Sequence, residues 1–178
     1  MTFSRRELIV IGLALTLTVV AWVLANSYPG YDTYYHLVWG RELLAGQVPS
    51  IDAYQAPTLH PLYLAVAAAL GAVVGDDSAQ LMVLLGALSL TICAWSIWRI
   101  GRVVFGPWPG IVAALLVASN LTLMLYAARG FADMPFLALV FVAAALEAER
   151  KRRGVSVMVN GANIGGASGQ QVINRDAE

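Results

Sequence analysis

Long apolar stretches separated by short polar or proline- and glycine-bearing segments dominate the chain. Four of them, residues 8–26, 80–98, 108–128 and the shorter 135–148, approach or reach the roughly 17–25 residues with which an α-helix crosses the hydrocarbon core of a bilayer. A fifth, residues 59–75, sits near the lower limit of that range. It opens with His60-Pro61 and ends in Gly75-Asp76-Asp77.

Whether the fifth stretch crosses is decided here by charge, because short cytoplasmic loops carry the excess of Lys and Arg. With the N-terminus inside and residues 59–75 lying along the outer surface, Arg5, Arg6, Arg99, Arg102, Arg150, Lys151, Arg152, Arg153 and Arg175 fall inside. Only Arg41 and Arg129 then fall outside. If the same stretch spans, most of the positive charge moves outside. Inverting that five-span arrangement restores the balance but puts Arg5 and Arg6 outside, beside the first helix. The sequence therefore predicts an all-α polytopic membrane protein with four transmembrane helices plus outer juxtamembrane helices. Its N-terminus is expected in the cytoplasm and its functional face outside the cell membrane. The first stretch follows Arg5-Arg6, and Val23-Leu24-Ala25 has the look of a cleavage site. Its apolar core is longer than the roughly 7–15 residues of a signal core, so it reads as an anchor.

Composition agrees. Of 178 residues, 59% are hydrophobic and 12% charged, against about half and a quarter in ordinary soluble domains. The net charge of zero supplies no electrostatic footprint for nucleic acid. A single cysteine, Cys93, excludes a disulfide framework or a cysteine zinc site within one chain.

The loop after the first stretch is the most informative. Tyr34, Leu37, Val38, Leu44 and Ala45 recur at helical spacing, which predicts an amphipathic helix over about 33–45, ended by Gly46 as a C-terminal cap. A second outer helix is expected over about 60–75. Asp32, placed just before the first of these, reads either as a helix cap or as a catalytic carboxylate at the membrane surface. Asp133, in the turn Arg129-Gly130-Phe131-Ala132-Asp133-Met134-Pro135, poses the same choice, since Pro135 suits a helix start while an ionisable residue at membrane depth is a functional candidate. Only the four-span arrangement puts both aspartates on one face of the membrane.

These residues resemble the start of a C-type (GT-C) membrane glycosyltransferase, the superfamily of the dolichyl-phosphate-mannose protein mannosyltransferases and the lipid A aminoarabinose transferases. The resemblance runs from about Leu8 to Arg153. It rests on an acidic residue in the first outer loop (Gly30-Tyr31-Asp32-Thr33-Tyr34-Tyr35) and on a helix closing at Gly46. His60-Pro61-Leu62-Tyr63 stands where the family carries "HPPL", and Asp133 before Met134-Pro135 matches a second acidic residue. Two departures are visible: Thr33 stands where many relatives have Glu, and one proline of "HPPL" is missing.

The resemblance implies sugar transfer from a polyprenyl-phosphate carrier to a protein, lipid or glycan acceptor on the extracytoplasmic face. In that reaction Asp32 would act as the base, and Asp133 would orient the acceptor or support the charge developing on the sugar. The leaving phosphate would draw on Arg41, Arg129, His36 or His60. Each of these has a plainer reading as well, whether as a solvated helix face, a headgroup anchor or a helix-start residue. No cofactor and no metal ligand is assigned. A non-catalytic membrane subunit, in which both aspartates merely cap helices, is the competing function, and a transporter a weaker third.

After Arg153 the composition changes abruptly. Residues 154–178 are expected to form a flexible cytoplasmic tail. Enzymes of the resembled superfamily continue through several more spans, so the resemblance also implies that this chain corresponds to an N-terminal part, whether truncated or frame-shifted.

Overall fold

The computed structural model describes residues 4–52 and 54–152; the tail expected over 154–178 lies outside them. Within the described residues every regular element is helical: α1 (Arg5–Ala25), α2 (Tyr31–Leu44), α3 (Pro61–Val74), α4 (Ser78–Val104), α5 (Pro107–Ala118), α6 (Leu121–Ala128) and α7 (Asp133–Arg152). A 3-10 turn, Gly75–Asp77, separates α3 from α4.

Two helical runs have the length and apolarity to cross a membrane, Arg5–Ala25 and Pro61–Val104. The second is interrupted by the 3-10 turn, and α4 alone, with 27 residues, rises about 40 Å. A third crossing forms if α5 and α6 are one span bent by 56°. The bend is a departure from the unbroken helix expected over 108–128. Asn120 caps α6 there, its side chain accepting the Leu123 N–H at 3.0 Å, so the helix restarts at the polar pair Ser119-Asn120 inside an otherwise apolar stretch.

The helix α4 is the axis of the protein, with α1, α5, α6 and α7 packed along it. Small residues let the backbones meet, as they do between membrane helices. A Cβ added to Gly101 would stand 2.6 Å from the Gly110 Cα of α5. Buried Cys93, Ala127, Met134 and Ala138 form one core where α4, α6 and α7 converge. Leu37, Tyr63, Ala67, Met82 and Ala132 form a second, under α2 and α3. By contrast α1 buries none of its residues, leaving Leu8, Leu13, Leu17 and Leu24 open. One side of α1 meets α4, with Thr18 and Thr91 joined at 2.6 Å, and the open apolar side is the one suited to lipid.

Ionic contacts define one end of the bundle. The Glu7 carboxylate at the start of α1 accepts from Arg102 at 2.6 Å and from Arg99 at 3.3 Å, both near the close of α4. Arg99 also pairs with Glu149, near the close of α7. Hydrogen bonds define the other end. Ser27, just past α1, donates to the Ala128 carbonyl at the close of α6, and Gln80, at the start of α4, donates to the Ser27 carbonyl at 3.2 Å. Both ends of α3 stay there: Tyr63 donates to the Gly130 carbonyl, and Val74 shares a groove with Trp22 and Asn26 of α1.

Candidate active site

The first turn of α2 is clamped onto the turn between α6 and α7. The Gly30 N–H donates to the Arg129 carbonyl at 2.7 Å. The buried Thr33 hydroxyl lies 3.1 Å from the same carbonyl and 2.9 Å from that of Gly130. Tyr63 reaches Gly130 from α3. Gly130 permits this close approach: it takes φ +69°, and a Cβ there would stand 2.9 Å from the Met82 carbonyl oxygen. A short neutral hydroxyl, with one proton to give, fits between these two carbonyls, where a charged side chain would have to be desolvated.

Asp32 and Asp133 come together on this clamp. Asp32 is the second residue of α2, and the N-cap is Gly30, which makes no side-chain cap bond. The cap reading of Asp32 therefore falls away. Its side chain, 14% exposed, faces the Ala132 amide and lies within the electrostatic reach of His36, His60 and Asp133. Burial pushes the Asp32 carboxyl up, Asp133 adds to that, and His36, His60 and the Ala132 amide work against it. Asp133 itself is exposed, in the first turn of α7.

The two histidines differ in what they can touch. His36 is fully buried. Its Nδ1 lies 2.8 Å from the Asp32 carbonyl oxygen and 3.6 Å from the Asp32 carboxylate, and its Nε2 accepts the His60 N–H at 3.1 Å. That acceptance fixes the neutral ring with its proton on Nδ1. Burial lowers the His36 pKa. His60, half-buried, stacks on His36 with ring centroids 5.5 Å apart and caps α3 without a side-chain bond. Trp39 and Tyr63 close the ring of aromatics around His36.

The two outer arginines also separate. Arg129 belongs to the same turn as Asp133, its guanidinium 3.9 Å from the centre of the Tyr28 ring. Arg41 lies nine residues along α2 from Asp32, about 13 Å of helical rise, and pairs with Asp76 at 2.7 Å in an exposed position. It is not brought to the aspartates. Among the described residues no group of three His, Cys, Asp or Glu side chains is arranged to hold a metal ion. Sequence reasoning missed the clamping role of Thr33, Tyr63 and Gly130; the glycine between Arg129 and Phe131 was the one local signal of a close approach.

An all-helical bundle with lipid-facing helices, carrying paired carboxylates where loops meet helix starts, defines an integral membrane protein built around one end of its bundle. The chain belongs to the dolichyl-phosphate-mannose-protein mannosyltransferase family, whose sequence model matches residues 59–168, more than half of its length. Membership brings glycosyltransferase chemistry at the level of the family. The match takes in α3 to α7 and Asp133, begins after Asp32, and runs on past the described residues. No curated protein matches the chain, and no solved structure does.

Proposed function

We propose that this chain serves a membrane glycosyltransferase that moves a sugar from a polyprenyl-phosphate carrier to an acceptor hydroxyl on the extracytoplasmic face. The observation that carries the proposal is the pairing of a half-buried Asp32 with Asp133 on one clamped turn, next to Arg129. In the reaction the acceptor oxygen bonds to the anomeric carbon as the bond from that carbon to the phosphate oxygen breaks. The acceptor proton passes to Asp32, and the polyprenyl phosphate leaves. Arg129 faces the departing phosphate, Asp133 orients the acceptor, and His36 with His60 positions Asp32. Arg41, held by Asp76, has the smaller share.

The proposed topology has four crossings: α1, α4, the bent α5–α6 pair and α7. Support comes from the contacts of Glu7 with Arg99 and Arg102 and of Arg99 with Glu149, which draw the start of α1 and the closes of α4 and α7 to one end. A crossing α3 would put the start of α1 and the close of α4 on opposite sides. With positive charge inside, that end is cytoplasmic, and the aspartates face outward at the plasma membrane.

Photo-crosslinking of the full chain in membranes with a polyprenyl-phosphate-sugar analogue tests the reading. Labelling that unlabelled donor competes away, and that Asp32→Asn or Asp133→Asn weakens, is the expected result. Absence of labelling from folded wild-type protein overturns the assignment of donor binding to this chain.

A further inference from the structure

Next to the clamp, the outer end of α1, the close of α3 and the start of α4 border an open groove of about 530 Å³. Its walls divide by chemistry. Trp22, Val23, Val74 and Leu81 are apolar, whereas Asn26, Asp77 and Gln80 are polar. Gln80 gives its Nε2 to the Ser27 carbonyl, which leaves its Oε1 as an acceptor. The indole N–H of Trp22 is buried without a hydrogen-bond partner among the described residues. Among the residues lining the groove there is no Lys, Arg or His. An anionic headgroup would therefore meet the Asp77 carboxylate with no cation among the lining residues, the nearby Arg41 being engaged by Asp76. Hydroxyl groups suit these walls, because they donate to a carboxylate and to amide carbonyls and accept from amide N–H groups.

Ser27 joins this groove to the candidate active site. Its carbonyl takes Gln80, its hydroxyl takes the Ala128 carbonyl, and three residues later Gly30 caps α2. We infer that the groove seats the hydroxyl-bearing headgroup of an uncharged amphiphile, with the apolar tail running along Trp22, Val23 and Leu81. This molecule is the acceptor, approaching from the outer leaflet, while the anionic donor takes the Arg129 side. The inference rests on the transferase reading above, and the charge of the walls is what separates acceptor from donor.

The test uses the full chain in phosphatidylcholine nanodiscs. Two photoreactive probes with the same diazirine-bearing dodecyl chain are compared, one with a β-glucoside headgroup and one with a phosphate. The glucoside is expected to label residues 22–26 and 74–81 about tenfold more than the phosphate does, the scale of a charge-assisted hydrogen bond gained against one lost. Asp77→Asn should remove most of that difference. Val23→Trp, at a position 62% exposed where a larger side chain fits, should block groove labelling altogether. Labelling at Leu115 and Leu116, which face outward on α5, stays constant throughout and reports annular lipid. Equal labelling of the groove by both probes, or labelling that neither substitution changes, overturns the inference. Groove labelling in a protein that takes up no donor leaves the hydroxyl-headgroup site standing and strips it of the acceptor role.

Discussion

His36 sits one helical turn beyond Asp32 and holds it from below, with Nδ1 2.8 Å from the Asp32 carbonyl oxygen and 3.6 Å from the carboxylate. The other ring nitrogen accepts the His60 amide. One neutral imidazole thus ties the first turn of α2 to the first turn of α3. Both ring nitrogens are engaged and the side chain has no exposed surface, which suits the positioning role proposed for it.

This pairing has a pH consequence. Burial raises the Asp32 carboxyl above its ordinary 3.8, with His36 the largest opposing influence. Asp32 accepts a proton only when ionised, so the acid limb of transfer should have its midpoint above 3.8. His36→Asn keeps an amide donor for the Asp32 carbonyl but removes the Nδ1–H that lies 3.6 Å from the carboxylate and favours its ionised form. It should move the acid limb to still higher pH. Separately, burial lowers the folded-state pKa of His36 below its ordinary 6.5. Between the two values the unfolded chain binds more protons, so stability rises with pH through that window and falls on acidification. Rate–pH profiles and pH-dependent unfolding of the two proteins check both signs; an acid limb that stays put in His36→Asn removes the positioning role.

Asp32→Asn should lower transfer by about 10²–10⁴-fold, the usual worth of a positioned acid–base group. Stability should hold or rise slightly, because the helix is capped at Gly30 and an amide is cheaper than a carboxylate to bury. Asp133→Asn, at an exposed position, should give a smaller loss of rate. Transfer assays alongside thermal unfolding separate this from a purely structural role, which predicts full activity for both.

Thr33 and Tyr63 converge on the Gly130 carbonyl. Thr33→Val and Tyr63→Phe each delete a buried hydroxyl while the carbonyl keeps one partner, so each should cost about 0.5–1.5 kcal/mol. Together they leave that carbonyl without either donor, and the double substitution should cost more than the sum of the singles, with a coupling of about 0.5–3 kcal/mol. A double-mutant cycle on unfolding measures it.

The helices were largely legible because lipid-crossing and interfacial helices advertise themselves through composition. The helix expected over 33–45 is Tyr31–Leu44, and that over 60–75 is Pro61–Val74. The shift of two residues at the start of α2 carried meaning, since it moves Asp32 inside the helix and removes its capping role. The bend at Asn120 is marked only by the polar pair Ser119-Asn120, too short to divide an apolar stretch by average hydropathy. The clamp was illegible for a different reason: Thr33 and Gly130 are 97 positions apart, and a neutral threonine carries no chemical signal until the carbonyls it satisfies are seen. From the sequence, Asp32 and Asp133 could be expected together only in the four-span arrangement that charge counting favoured; their nearness in the structure is seen through the Ala132 amide beside Asp32.

Charge counting used Arg99 only as a marker of sidedness, yet it is 2% exposed and bridges Glu149 of α7 and Glu7 of α1. Removing one partner from such a group strands the others without compensation, which typically costs about 3–5 kcal/mol. Arg99→Met keeps most of the side-chain volume and should lower stability on that scale. Glu7 retains Arg102 at 2.6 Å, so the stranded charge is chiefly that of Glu149. Adding Glu149→Gln to Arg99→Met should therefore restore part of the loss, whereas adding Glu7→Gln should restore less and also weaken the capping box with Ser4. Donor labelling, at the opposite end of the bundle, should persist in whatever fraction remains folded. Unfolding of the four proteins in one detergent resolves the matter: if Arg99→Met costs no more than an exposed arginine would, the three helices are joined at this end by apolar packing and not by charge.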